Sequence, residues 1–314
     1  MISGGLIIFR RLISMLIHRN NIQGKKDVLY SWLFLIPVFV ILSITAFIPL
    51  GFGFGLSFFK YKLNLQRAPI FNGIGNYIEI FRDELFIDAV KHNVLFALLA
   101  VSIEMGVGII IAMMLSDDSK ITRFLISLLM IPMIIAPVAA GTLWRMMLDR
   151  TYGIVNYLLT LVGLPAVSWI GDYRIAIYTI IFVDCWQFIP FVAILVLSSI
   201  KAIPDTLIDA ARVDGASPWK VFTKIVLPIS APVIIMVAMI RFVDAFKVFD
   251  TVFVMTQGGP GTATEMLPTY IYRQGIKFLN IGYSSAAAVL FIVFMSLIAL
   301  GFIRLRTKQL ERTG

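Results

Sequence analysis

The chain has 314 residues, 59% of them hydrophobic and only 14% charged, which leaves too few charges to coat a soluble globule and too many apolar side chains for one core. A single cysteine, Cys185, rules out an internal disulfide framework and a cysteine-rich metal site, and His18 and His92 lie far apart, so neither metal binding nor histidine-based catalysis is suggested. The net charge of +9 falls in the connections between apolar runs, where the preference of cytoplasmic loops for cations explains it better than nucleic acid does.

The first element, residues 6–17 (LIIFRRLISMLI), is too short to cross a hydrocarbon core of about 30 Å and reads as an amphipathic helix lying on the membrane surface within a cytoplasmic segment 1–29. Arg10 and Arg11 interrupt its apolar run and no small-residue cleavage site follows, so a retained N-terminus is expected. Stretches poor in charge then mark six spans inside a membrane domain 30–305, at about 30–58, 92–116, 123–146, 175–200, 229–253 and 279–303, followed by a cytoplasmic tail 306–314. A helical outer loop is expected over 150–172. With the N-terminus inside, the cytoplasmic connections hold 15 Lys and Arg against 10 outside, which favours cytoplasmic placement of both termini. The expected fold is therefore an all-α, multi-pass bundle, with no internal repeat visible.

The densest local signals lie in the polar island 201–228, KAIPDTLIDAARVDGASPWKVFTKIVLP, between the fourth and fifth spans. Pro204 suits a helix start, and Asp205 and Asp209 place negative charge near the positive end of that helix. Gly215 reads as a turn, Ser217 and Pro218 as the cap and first position of a second helix, and Pro228 and Pro232 as interruptions or kinks. The small residues Ala210, Ala211, Gly215 and Ala216 let another surface approach the bend closely. A helix, turn, helix order alone also suits a DNA reader, but apolar spans tether both ends of this one within about 24 residues.

Asp209-Ala210-Ala211, then Gly215, then Ile225-x-Leu227-Pro228 resembles the EAA loop of ABC importer permeases, with the family's spacing throughout and Asp209 where Glu is usual. The surrounding residues, the segment FDTVFVMTQGGPGTATEMLPTYIY and the run Gly282 to Ala288 are similar to the carbohydrate branch of that family, so the resemblance covers most of residues 30–305. It implies a type I importer fold, with this chain as one of two permease subunits, most often a heterodimer with a homologous partner. It further implies two cytoplasmic ATPases docked on the loops, an extracytoplasmic solute-binding protein that delivers the substrate, and a bacterial or archaeal cytoplasmic (inner) membrane as the setting. ATP and Mg would then be bound by the partner chains, since no Walker sequence occurs here and this chain needs no cofactor of its own. Asp209, Ala210, Ala211, Gly215, Ala216, Ile225, Leu227 and Pro228 are the residues the resemblance assigns to ATPase coupling.

Polar residues inside spans are costly and face protein or water. In the fifth span Arg241, Asp244, Lys247 and Asp250 alternate in sign at steps of three, so neighbours can pair along the helix. At about 60° for each step of three, the four charges wind through roughly 180°, so at most two of them face one pore. Asp250 lies nearest the outer end, the expected position of an extracellular gate. In the fourth span Asp184, Trp186 and Gln187 offer hydrogen-bonding groups and a flat ring, the chemistry a sugar needs, and packing is the plainer role for Trp186. Glu104 in the second span is expected to pair with another span. The turn Gly258-Gly259-Pro260-Gly261 is not a phosphate loop, because no Lys-Ser/Thr follows. The expected function is ATP-driven import of a carbohydrate-like solute by alternating access. An ion-coupled transporter using the charges of the fifth span is the alternative, and it leaves the 209–228 spacing unexplained.

Overall fold

The computed structural model describes residues 22–313, and side-chain surroundings for 32–304. The expected surface helix at 6–17 lies outside the described residues. The chain divides into two compact units, one ending at Leu56 and the other beginning at Ser57. Among the described residues, five helices are long and apolar enough to cross a membrane, or six when one sharply bent pair counts as a single span.

The first unit carries α1 (Ile22–Leu42), a π-helical turn at Ser43–Phe47 and α2 (Ile48–Leu56), with a 25-residue apolar stretch from Trp32 to Leu56. Pro49 has no N–H to give the Thr45 carbonyl one turn back. The chain meets this by widening, so that the Ile48 N–H reaches five residues back to Ser43.

The second unit opens with a short antiparallel pair, β1 (Phe59–Lys60) and β2 (Ile70–Phe71), in the register Phe59 to Phe71, then α3 (Gly75–Ile80). Its central helix is α4 (Glu84–Met114), which starts eight residues before the apolar stretch read from hydropathy because Asp83 caps it, accepting from the Leu85 N–H at 2.9 Å. Along α4 the buried residues Ala89, Asn93, Ala97, Ala100, Glu104, Gly108 and Ala112 recur at three or four, a ridge of mostly small side chains on which α9 (Ala176–Lys201) packs closely. At Gly108 a Cβ would lie 2.6 Å from Val192 Cγ1, so glycine is what allows the approach.

Between them the chain forms α5 (Lys120–Leu129), α6 (Ile131–Ile134) and α7 (Pro137–Met147). The third expected span, 123–146, is thus not one straight helix: it bends by 93° at Ile135–Ala136. Ala136 precedes Pro137, which disfavours helical backbone there and leaves ψ at 139°. The connection after α7 contains α8 (Ile154–Leu161), shorter than the helical loop expected at 150–172.

After α9 come α10 (Asp205–Val213) and α11 (Pro218–Val221), a π-helical turn at Phe222–Val226, and α12 (Leu227–Phe246). Pro228 does not interrupt this run as the sequence suggested. The device at Pro49 recurs: the Leu227 N–H bonds five back to Phe222, and the helix continues through the proline. The interruption falls instead at Lys247–Phe249, before α13 (Asp250–Met255). Then follow α14 (Leu267–Tyr272), a π-helical turn at Arg273–Lys277 and α15 (Ile281–Thr313).

The ends of α4, α12, α14 and α15 nearest residues 83–93 are bound by buried polar groups. Asn93 donates to the Phe246 carbonyl at 2.9 Å and accepts from the Leu267 N–H at 2.9 Å. The other oxygen of Asp83 accepts from the hydroxyls of Tyr270 and Tyr283, which also touch each other at 2.9 Å. Burial, together with the Asp83 carboxylate it donates to, holds the Tyr270 hydroxyl protonated far above the usual phenol range. Replacing Asn93 by Ala strands one carbonyl and one N–H without solvent, so a loss of about 2–4 kcal/mol is expected. Thermal unfolding of the purified protein in detergent measures it, and a melting temperature equal to that of the unsubstituted protein would remove the bridge from the account.

Candidate functional site

Two groups of sequence-predicted residues come together in the structure, one inside the bundle and one on the 201–228 loop. Inside the bundle Arg241 points from α12 toward α4 and α9. Its Nε donates to Glu104 Oε2 at 2.7 Å, and its Nη2 donates to Glu104 Oε1 at 3.0 Å and to Asp184 Oδ2 at 2.9 Å. All three side chains are at most 4% exposed. The guanidinium carbon lies 3.8 Å from the centre of the Phe188 ring, so an aromatic face covers the side of the cation that has no carboxylate.

The expectation that Arg241 pairs along its own helix is corrected here. Asp244 pairs instead with Lys247 at 3.2 Å, and both are about half exposed. Asp250 is the exposed first residue of α13. The break at Lys247–Phe249 takes it off the helical winding on which the sequence estimate relied. Beside it, Phe249 stacks on Phe253, and Tyr272 meets both rings edge-on at 5.2–5.4 Å.

Gln187 is 2% exposed, and its Nε2 donates to the Ile135 carbonyl at 2.7 Å, at the bend between α6 and α7. Its Oε1 has no hydrogen-bond partner among the described residues. Trp186 meets Trp144 edge-on at 5.4 Å and lines an apolar cavity of about 530 Å³ between α4, α5 and α9, together with Val107, Pro132 and Pro190. Packing is its role in this arrangement. The seven candidates of the fourth and fifth spans therefore separate. Asp184, Gln187 and Arg241 are sealed in the bundle, Trp186 lines an apolar wall, and Asp244, Lys247 and Asp250 stay exposed at the C-terminal end of the fifth span. Sequence reasoning passed over Phe188 and Asn93. An asparagine alone in an apolar span was a usable signal; a phenylalanine among 25 was not.

On the loop, α10 ends in a two-bond turn: the Ala216 N–H reaches the Ala211 carbonyl at 2.9 Å and the Gly215 N–H reaches the Arg212 carbonyl at 3.0 Å. Gly215 sits at φ +77°, which only glycine adopts without strain, although nothing lies within 4 Å of where its Cβ would be. Conformation, not crowding, sets this residue. Ala211 and Ala216 are half-buried against a small core of Ile203, Val221 and Val226, whereas Asp209, Ala210 and Gly215 are exposed. Ser217 caps α11 by accepting from the Lys220 N–H at 3.4 Å. Ile225 is half-buried within the π-helical turn, and Leu227 and Pro228 begin α12. The spacing from Ala211 to Gly215 and Ala216 is thus the spacing of a helix C-cap.

Residues 104–311 match the model of the family described as binding-protein-dependent transport system inner membrane component. The chain belongs to this family. Among curated relatives, the trehalose/maltose transport system permease MalF of Thermococcus litoralis is 28% identical over 93% of this chain and 99% of its own length. The sulfoquinovosyl glycerol transport system permease SmoG of Agrobacterium fabrum is 30% identical over 90% of this chain and 92% of its own. In fold, the chain is similar to a solved bacterial ABC transporter chain involved in import of the acidic polysaccharide alginate, with a TM-score of 0.80 and 24% identity over 91% of this chain and 99% of that one. This family member is accordingly an all-α permease subunit of a binding-protein-dependent importer, an inner membrane component that forms the pore.

Breaking the buried set leaves a charge without a partner, so Arg241→Met alone is expected to cost ~3–5 kcal/mol or abolish folding. The triple substitution Arg241→Met, Glu104→Gln, Asp184→Asn is expected to recover most of that loss. Melting temperatures of the two variants in the same detergent decide it; equal loss in both would show that the pairing is not what the single substitution disrupts.

Proposed function

We propose that this permease subunit carries a carbohydrate or carbohydrate-like solute, as one of two homologous subunits, with energy supplied by two cytoplasmic ATPases docked on the loops at 201–228. ATP and Mg are bound by those partners; this chain takes no cofactor. The names of the relatives, a trehalose/maltose permease and a sulfoquinovosyl glycerol permease, support the substrate class. Lys and Arg counting supports cytoplasmic termini and a cytoplasmic 201–228 loop. The substrate, delivered by an extracytoplasmic binding protein, then approaches from the end where α4 and α9 begin.

The observation that carries the coupling role is the capped bend itself. A fixed φ at Gly215 and a half-buried Ala211–Ala216 contact hold α10 and α11 as one knob, with Leu207, Val213 and Trp219 exposed on it. Exposed apolar side chains on a rigid, small-residue bend are what a docking protein covers. When the ATPases close, such a knob moves with them, and because Val221 to Leu227 is continuous helix, the shift passes into α12.

The exposed Asp244, Lys247 and Asp250 support the fifth span as the face toward the pathway or the second subunit, since exposed charges at this depth do not face lipid. Asp184, Gln187 and Arg241 hold the spans together in this arrangement and serve the pathway indirectly.

Gly215→Asp and Ala211→Asp are expected to leave the permease folded but uncoupled, with substrate-stimulated ATP hydrolysis and uptake both reduced more than tenfold in reconstituted vesicles. Gly215→Asn, which tolerates the left-handed conformation, is expected to keep most of the activity. Full coupling in the Gly215→Asp and Ala211→Asp transporters would remove the loop from the energy path.

A further inference from the structure

A second cavity, of about 490 Å³, opens where α4 and α9 begin, closed on one side by the connection between α13 and α14. Its floor is apolar, formed by the buried Ile177 and by Leu95. Tyr173 and Tyr178 stand on its rim, 68% and 53% exposed, and His92 and Thr262 complete the polar lining with Asp88 and Arg174. The wall is built before any ligand arrives. The Glu265 carbonyl lies 3.3 Å from His92 Nδ1, the Thr264 hydroxyl donates to the Gly259 carbonyl at 2.7 Å, and Asn93 holds the Leu267 N–H.

The charges in this cavity already have partners. Asp88 pairs with Lys91 at 2.8 Å, and Arg174 is held by both oxygens of Asp172 at 3.2 Å. What remains available is neutral: the hydroxyls of Tyr173, Tyr178 and Thr262, the second ring nitrogen of His92, and the ring of Tyr178, since Arg174 already lies over the Tyr173 ring at 5.6 Å. An ionic ligand meets no unpaired counter-charge in this lining, and the two pairs, both solvent-exposed, are each worth little. A polyhydroxylated ring needs no counter-charge, since its hydroxyls take the free donors and acceptors and its C–H face lies on tyrosine. The volume suits one or two sugar rings.

We propose that this cavity is an outer subsite for a neutral saccharide, occupied between release from the binding protein and passage into the membrane interior. The proposal rests on the reading of this permease as a carbohydrate importer. The test uses the complete transporter, reconstituted with its partner permease, ATPases and binding protein. Uptake is measured with labelled neutral and acidic mono-, di- and oligosaccharides, trehalose and maltose among them. Tyr178→Ala and Thr262→Ala are expected to lower the maximal uptake rate of the transported neutral sugar about five- to tenfold. Tyr178→Phe, which keeps the ring, is expected to lose less than Tyr178→Ala. The binding-protein concentration giving half-maximal uptake, and ATP hydrolysis stimulated by sugar-free binding protein, are expected to stay unchanged.

Unaltered uptake in both alanine variants overturns the subsite. A change confined to the half-maximal binding-protein concentration also overturns it, making the cavity a cleft for a protein side chain. Uptake of acidic sugars alone by the unsubstituted transporter refutes the neutral ligand while leaving the carbohydrate reading intact. Uptake of none of the panel refutes that reading itself.

Discussion

Arg241 is the largest side chain that the described protein buries completely, and the rest of the bundle is arranged around meeting it. A guanidinium taken from water into an apolar interior carries a penalty of several kcal/mol that only close, hydrogen-bonded anions offset. Glu104 and Asp184 supply them from helices 137 and 57 positions away in sequence. One contact therefore fixes the rotation of α4, α9 and α12 about their own axes. With Arg241 turned inward, each step of three along α12 rotates outward by about 60°, so Asp244 and Lys247 are carried to the surface and left to neutralise each other there. The buried set and the exposed pair are two results of one choice of helix phase.

The loop at 201–228 was legible in the sequence because its signals are local. Pro204, Ser217, Pro218 and Gly215 each act within a turn of their own position, and a cap or a left-handed residue means the same thing in any context. The set around Arg241 was legible only in part. Glu104 announced a partner on another span, but which one depends on tertiary contacts that no spacing encodes. The alternating charges of the fifth span suggested pairing within the helix, and for Asp244 and Lys247 that is what forms; for Arg241 the low-dielectric pair offered by two other spans prevails. Span limits fared worst where polar residues sit inside a helix. The first two turns of α4 carry Glu84, Asp88 and Lys91, so hydropathy placed its beginning too late.

Proline shows the same division between local rule and local remedy. The rule that proline stops a helix holds at Pro137, where the preceding residue is forced out of helical backbone and the chain turns by 93°. It fails at Pro49 and Pro228, because a π-helical turn immediately before each proline moves the orphaned carbonyl away from the ring and lets the helix run on. The distinction matters for transmission of force. A bend at Pro228 would separate the loop from the span it leads into, whereas the widened but continuous helix keeps them in one body.

The two ends of the second unit are held together by different means. At the end where α4 begins, Asp83, Asn93, Tyr270 and Tyr283 form buried and half-buried hydrogen bonds that link four helices through side chains and backbone alike. At the other end, the connection after α4 meets α9 through the pair of Asp118 with Lys201, where Asp118 is 91% exposed and the contact is worth little in water. The loop beyond it rests on a core of only three buried residues, Ile203, Val221 and Val226. Local opening follows the distribution of buried contacts, so the loop end yields first and the opposite end last. Under the proposed coupling at the loop, a push there is met by the compliant end of the unit, while the far end, where the proposed sugar cavity lies, keeps its shape. Under that proposal, alternating access in this half of the pore amounts to tilting α12 and its neighbours about a fixed girdle at the end where α4 begins, with the Arg241 set keeping the tilting helices in phase.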